Sequence, residues 1–266
     1  MAVPKLHRNV VALGMVSLLT DLSSEMIYPL LPVFLTVTLA AGPAALGLIE
    51  GVAETTASLL KLFSGVWSDR SGRKKPLVIA GYGLSSLARP LIGFATGWGH
   101  VLAVRFCDRI GKGVRTSPRD ALIAAYVPAS LRGKAFGLQR SMDHFGAVLG
   151  PVAAFLLLAG GISLRSVFLL SIVPGVAAVA VLAFLVRDAP AAPPSPHAVS
   201  ALRRDGLSPE FRRYLLLVGL FTLGNASDAF LILRAMDAGV PTRYVPLLWG
   251  AFHVVKSSLS VPAGAP

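Results

Sequence analysis

Between positions 105 and 120 stand Arg105, Asp108, Arg109, Lys112, Arg115, Arg119 and Asp120, in a stretch whose other residues are mostly small or apolar. At 3.6 residues per turn these charges fall within an arc of about 140°, so one helix face is polar and the other is free for apolar packing. A cationic face of this kind holds oxyanions or pairs with carboxylates. Carboxylates are available. Asp21 and Glu25 are four apart and share a helix face, and Glu54 stands seven residues before Lys61 on another. A carboxyl group out of water is stable as its neutral acid or beside a cation. Asp21 and Glu25 are therefore candidate proton carriers; the plainer reading is a fixed ion pair that joins two helices. Asp143, within one turn of Arg140 and His144, is a further acidic candidate. Glu50 reads as a solvated helix end. Arg89, before Pro90, calls for an acidic neighbour that the sequence does not specify.

All of these charges sit in apolar surroundings. The 266 residues are 54% hydrophobic and 14% charged, with a mean hydropathy of +0.69, against roughly 25% charged in soluble domains. A helix needs about 20 apolar residues to cross a bilayer. Eight stretches meet that length, some with charges inside: about 10–37, 44–67, 76–96, 100–126, 134–160, 166–187, 213–234 and 244–262. The expected fold is an all-α polytopic membrane bundle. The first span has no small-residue cleavage site behind it and reads as retained, not as a signal peptide. The net charge of +12 raises the question of nucleic acid, but the basic residues lie between spans and not on one continuous face, so no nucleic-acid partner is expected. Cys107 is the single cysteine, which excludes an intramolecular disulfide and a multi-cysteine metal site. No metal or cofactor is expected, and the absence of a G-x-x-x-x-G-K-[ST] loop argues against an ATP-driven pump.

Lys and Arg set the orientation. With the N-terminus inside, Lys5, Arg8, Arg70, Arg73, Lys74, Lys75, Arg132, Lys134 and five arginines between 187 and 213 are cytoplasmic, whereas Arg165 and Arg243 are outside. That places the chain in the plasma membrane with a cytoplasmic N-terminus. The fourth span could instead be an amphipathic cytoplasmic helix, but its removal would leave the third and fifth spans with clashing topology. Residues 188–212, rich in Pro, Ala and Arg, read as a cytoplasmic linker. It divides a six-helix unit (1–187) from two further helices (213–266).

Four short patterns then add a resemblance. Gly65-Val-Trp-Ser-Asp69-Arg70-Ser-Gly72-Arg73-Lys74-Lys75 resembles the loop 2–3 signature of the major facilitator superfamily of secondary transporters; the plainer reading is a basic topogenic loop. Arg109-Ile-Gly111-Lys-Gly113 followed by Pro118 resembles that family's helix 4 pattern, and Arg132-Gly133-x-Ala135-x-Gly137 its loop 4–5. Gly146-Ala-Val-Leu-Gly150-Pro151 resembles the helix 5 pattern of its antiporters, although Ala153 and Ala154 stand where a further glycine is common. Close helix packing alone explains G-x-x-x-G equally well. A faint internal repeat fits a two-half architecture: Gly51, Glu54 and Gly65 align with Gly250, His253 and Gly264.

The resemblance implies alternating access by two six-helix bundles, a small organic solute as partner, coupling to protons, and export. It implies that Asp21 or Glu25 pairs with Arg109 and that these residues respond to protons and substrate in a cavity shared with Glu54, Arg105, Lys112 and Asp143. It implies that Gly65, Asp69, Arg70, Gly72 and Arg73 gate the cytoplasmic side. On this reading the chain is the N-terminal two-thirds of a twelve-helix protein. The alternatives are a non-transporting fragment or scaffold and, less favoured, a membrane-embedded enzyme for lipid headgroups. Topology is directly testable. Cysteines introduced as Lys74→Cys and Gly97→Cys in a Cys107→Ser background should react from opposite faces of intact cells, Lys74→Cys only from within. Labelling of Lys74→Cys by an impermeant reagent from outside contradicts this orientation.

Overall fold

The computed structural model describes residues 6–71, 73–188, 208–224 and 226–263. It places α1 over Arg8–Thr38, α2 over Pro43–Ser71, α3 over Lys75–Phe94, α4 over Trp98–Ala125, α5 over Arg132–Ala159 and α6 over Leu164–Leu185. Three further helices follow: α7 (Pro209–Leu223), α8 (Ala229–Asp237) and α9 (Val245–Ala263). No strand occurs among the described residues. Apolar chain in lipid must satisfy its backbone hydrogen bonds within each segment, which selects helices.

Where the helices bend, a local cause is visible. Pro29 and Pro32 divide α1 into a regular helix to Glu25, a 3-10 turn at Tyr28–Leu30 and a π-helical end at Phe34–Thr38. Pro90 tightens the end of α3 into a 3-10 turn. Pro118 and Pro151 are carried inside α4 and α5.

The expected single span at 213–234 is corrected: α7 ends before Gly224 and α8 begins at Ala229. The Ser227 hydroxyl accepts the Ala229 N–H at 3.3 Å, and the Ser227 carbonyl accepts the Phe230 N–H at 3.0 Å. Ser and Asp compete well for backbone groups at helix starts and poorly in helix interiors, which is why the helix restarts here. Asn225, linker residues 189–207 and Gly264 lie outside the described residues.

By length and composition, four helices among the described residues can cross a membrane: α1, α3, α6 and the segment Ala129–Ala159 that contains α5. α2 and α4 are as long, at 29 and 28 residues, but carry charges that α4 turns inward. Large apolar side chains face outward instead, including Leu62, Phe63, Trp67, Phe94 and Phe184. α7 is exposed from end to end.

Between helices in lipid, association depends on close packing. α1 lies on α5 at the G-x-x-x-G pair: a Cβ on Gly146 would overlap the Leu18 carbonyl oxygen, and one on Gly150 would come within 2.8 Å of the Glu25 Cβ. α3 and α4 meet at Gly81 and Gly111, each against the other's carbonyl. Gly113 of α4 backs onto Ala57 and Leu60 of α2. These three seams set the depth at which side chains of α1, α2, α3 and α4 face one another.

Apolar contacts close the bundle at both ends. One cluster joins Ile27, Leu30, Phe34, Leu46, Ile49, Ile92, Val101 and Phe168, with Phe34 and Phe168 edge to face at 5.2 Å. The other joins Val10, Leu13, Val16, Val78, Tyr82, Leu122, Ile123, Ala178 and Leu182. Beyond the second cluster the chain ends are tied. Asn9 exchanges hydrogen bonds with the backbone of Arg187, the Tyr126 hydroxyl donates to the Arg187 and Asp188 carbonyls, and Lys75 Nζ donates to the Ala183 carbonyl. The start of α1, loop 4–5 and the end of α6 thus share one face of the bundle, as the alternating topology requires.

Gly111→Leu or Gly146→Leu should cost roughly 1–3 kcal/mol or more through overpacking. Gly51→Ala, with open space where the Cβ would go, should stay within about 0.5 kcal/mol. Thermal unfolding in detergent micelles checks this; equal effects at the three positions would refute the packing account.

Candidate functional site

Between the two apolar clusters lies a layer of charge, and α4 supplies its centre. Asp108 Oδ1 accepts from Arg89 Nε at 2.8 Å, and its Oδ2 lies 3.6 Å from Arg105 and 4.0 Å from Arg109. Arg89 Nη1 also donates to the Thr20 carbonyl at 3.1 Å and to Ser23 Oγ at 3.2 Å. Ser85 Oγ donates to the Asp108 carbonyl at 2.9 Å. One carboxylate therefore organises three guanidinium groups and links α4 to α3, and through Arg89 to α1. A second pair continues the layer into α2, where Arg105 Nη2 meets Glu50 Oε1 at 2.6 Å. Arg105, Asp108, Glu50 and Arg89 are each at most 5% exposed. Charges so buried persist only when paired, because desolvation costs several kcal/mol per ion.

This layer faces a cavity of about 410 Å³. α1 lines it with Asp21, Glu25 and Tyr28, α2 with Glu54, and α4 with Arg105, Asp108, Arg109, Lys112 and Arg115. The far wall comes from Asp228 before α8 and from Trp249, His253 and Lys256 of α9. Glu25 Oε2 accepts the Trp249 indole N–H at 2.7 Å and stands 3.7 Å from His253 Nε2. Lys256 Nζ is 3.8 Å from Asp228. The cavity volume suits a small organic molecule.

The structure brings together six of the seven expected cavity residues: Asp21, Glu25, Glu54, Arg105, Arg109 and Lys112. Asp143 does not line the cavity, although it stands close enough to Asp21 to interact with it through space. It accepts from Gln139, which also donates to Ser17 Oγ at 3.1 Å, and it lies 3.9 Å from Arg140. The expected pair between Arg109 and Asp21 or Glu25 is corrected. Arg109 Nη1 lies 3.2 Å from Glu54, because the Gly113 seam draws α2 against α4 while α1 packs on α5. Glu50 is corrected as well: it is buried against Arg105 and is not a solvated end. Glu54 and His253, matched by the internal repeat, both reach the cavity.

Toward the other expected sites, Gly65 of α2 approaches Ser117 of α4 at 3.5 Å from its would-be Cβ. Ser117 Oγ donates to the Lys61 carbonyl at 2.8 Å and Ser64 Oγ to the Gly113 carbonyl at 2.9 Å. α2 is thereby tied to α4 just before loop 2–3. Arg73 is exposed at the turn. Gly72 and the side chains of Asp69 and Arg70 lie outside the described residues. No metal-holding group of His, Cys, Asp and Glu occurs among the described residues.

Sequence reasoning named Arg89, Asp108 and Glu50 without assigning their partners in the layer, and it passed over Trp249 in the far wall. The cost of an arginine inside an apolar span was the available signal for Arg89. Nothing in the local sequence marks Trp249.

Asp108→Asn keeps the shape but leaves Arg89 and Arg105 without their shared anion. The loss should be about 3–5 kcal/mol, and adding Arg89→Gln should recover part of it in a double-mutant cycle. Glu54→Gln, whose side chain is 59% exposed, should cost less than about 1 kcal/mol. Thermal unfolding in micelles separates the two; a mild Asp108→Asn would show that the layer does not hold the bundle.

Comparison with known proteins agrees with this architecture. The family model of the Major Facilitator Superfamily matches residues 13–265. An uncharacterised MFS-type transporter of Methanocaldococcus jannaschii is 36% identical over 270 residues, covering 98% of this chain and 66% of that protein. Multidrug resistance protein MdtG of Escherichia coli is 29% identical over 184 residues, covering 67% of this chain and 43% of its own length. The chain thus spans at most about two thirds of the length of these curated relatives. Among solved structures, a bacterial homologue of the human lysosomal transporter Spinster, inward-facing and unoccupied, superposes with a TM-score of 0.69 at 19% identity, covering 91% of this chain and 58% of that one. A D-xylose–proton symporter superposes with a TM-score of 0.62 at 16% identity, covering 96% and 67%. At such identities the structures speak for the fold alone. The relatives and the fold are those of membrane transporters, not of enzymes, and the chain belongs to the major facilitator superfamily.

Proposed function

We propose that this chain forms the N-terminal bundle and part of the second bundle of a secondary transporter that exports a small organic solute in exchange for protons by alternating access. The observation that carries the reading is Glu25. It stands on α1 at the cavity wall, has no arginine within ion-pair distance among the described residues, and receives the indole N–H of Trp249 from α9 at 2.7 Å. The carboxylate therefore bridges the six-helix unit and the helices beyond residue 212. While charged, it accepts strongly from Trp249; once protonated, it accepts more weakly. Protonation of one cavity residue would thus loosen the contact that holds α9 against α1, which is the differential interaction a two-state transporter needs.

Asp21 lies one turn away on the same helix and faces the same cavity, without a cation within ion-pair distance among the described residues. It provides a second acid whose charge state the cavity senses. The tie between α2 and α4 next to loop 2–3 supports the gating role of Gly65, Asp69, Arg70, Gly72 and Arg73. The basic residues at the face shared by Arg8, Lys75, Arg132 and Arg187 support a cytoplasmic N-terminus in the plasma membrane. MdtG bears the name of a multidrug resistance protein, which favours export over uptake.

The test uses everted membrane vesicles containing the protein, energised to an acidic lumen and reported by a pH-sensitive dye. Addition of a transported solute from a panel of organic anions, zwitterions and amphiphilic cations should release protons. Asp21→Asn and Glu25→Gln should each reduce that release at least tenfold while solute binding survives. Trp249→Phe should weaken it less, since one hydrogen bond is lost and both acids remain. Full proton release by the doubly substituted protein would move the coupling site elsewhere, with Asp143 and Glu54 next.

A further inference from the structure

Most charges around the cavity have a partner. Arg89, Arg105 and Arg109 face Asp108, Glu50 and Glu54, Lys256 faces Asp228, and Glu25 receives Trp249. Two cations on α4 do not. Lys112 and Arg115 are three apart, so they project from one side of the helix into the cavity. Among the described residues neither has a carboxylate within 4 Å. Arg115 is 7% exposed, and its guanidinium rests 4.1 Å from the centre of the Tyr82 ring with Nη1 lacking any hydrogen-bond acceptor. Lys112 is exposed to the cavity interior. A ring face holds a guanidinium in place but does not neutralise it.

Among the described residues, Asp21 is the cavity carboxylate without a hydrogen-bond donor or a cation within ion-pair distance. Glu25 keeps its charge under the neutral indole N–H, so Asp21 and Glu25 balance Lys112 and Arg115 in number, but neither acid lies within ion-pair distance of them among the described residues, and charges held apart in a low-dielectric layer are costly when the cavity is empty. We propose that Lys112 and Arg115 form an oxyanion subsite, and that the transported solute carries a carboxylate or a phosphate monoester group held between them. This rests on reading the cavity as the solute path. Arg115 offers planar paired N–H donors and Lys112 a mobile ammonium, a combination that fits both oxyanion shapes. The ring of Tyr82 behind Arg115 keeps the guanidinium from turning away. The remainder of the cavity, with Ile27, Tyr28 and Ile92 at its wall, gives the organic part of the solute an apolar surface.

Binding tests this without transport, so its failure is separable from failure of the transporter reading. The purified protein in lipid nanodiscs is titrated with benzoate, phenyl phosphate, benzyl alcohol and benzylamine, and heat of binding is recorded. At least one of the two anions should bind at least tenfold more tightly than the alcohol and the amine; whichever binds better identifies carboxylate or phosphate as the preferred group. Lys112→Gln should reduce anion affinity about tenfold, and Lys112→Arg should restore most of it. Arg115→Lys, which keeps the charge and loses the paired donors, should discriminate against phenyl phosphate more than against benzoate. Because Lys112 is exposed, its variants test the site even if Arg115 variants do not fold. Equal binding of anion, alcohol and amine, absence of anion binding, or unchanged anion affinity in Lys112→Gln would each overturn the proposal.

Discussion

Asp108 accepting from Arg89 in the middle of the bundle is the interaction on which the rest of the architecture depends. Its geometry is over-determined. Arg89 is held by the Thr20 carbonyl and by Ser23, Asp108 by Arg89, Arg105 and Arg109, and the α4 backbone at that point by Ser85. A buried ion pair contributes little net stability against an apolar replacement, but loss of one partner is severe. The arrangement therefore acts less as glue than as a register device. α1, α3 and α4 have one relative depth at which all three guanidinium groups find oxygen.

That depth is also the depth of the cavity. The glycine seams bring α1 to α5 at Gly146 and Gly150, directly behind Asp21 and Glu25, and α4 to α3 and α2 at Gly111 and Gly113, on either side of Lys112. Small residues at these points do more than pack helices. They leave the opposite faces of α1 and α4 uncovered by neighbours and so available to line a space. The apolar clusters above and below confine the polar layer to the centre of the bundle. On the function proposed above, this mid-depth cavity is the solute site that alternating access requires.

The far wall is built differently. Trp249 is buried in a small apolar cluster with Val33, Ile232 and Val245, and its ring stands 5.1 Å from that of Tyr28. Its N–H then reaches back to Glu25. An aromatic body packed between α1 and α8 and a polar edge donating to Glu25 of α1 make a contact that is rigid in position yet sensitive to the charge of a single carboxylate. The break between α7 and α8, with Asp228 at the cavity rim, belongs to the same wall.

Much of this was legible before any coordinates. The apolar spans, the polar arc of α4, the shared face of Asp21 and Glu25, and G-x-x-x-G on α5 are periodic or compositional features, and periodicity alone assigns them to helices and faces. Pairing was not legible. A helix face tells which side a charge points to, not which neighbour stands there, so Arg109 was matched to α1 when the Gly113 seam gives it to Glu54 of α2. Glu50 looked solvated because a span's end is judged from hydropathy, while its burial follows from where Arg105 lies on another helix. The break at Gly224–Asp228 was hidden by apolar residues on both sides, and the local competition of Ser227 for backbone groups decided it. By itself the sequence determined that the chain is a helical membrane protein with charged helix faces at mid-depth. Only the tertiary structure decided which charges meet, because ion pairing in low dielectric depends on ångström-scale approach, and that approach is set by glycine contacts between helices far apart in the chain.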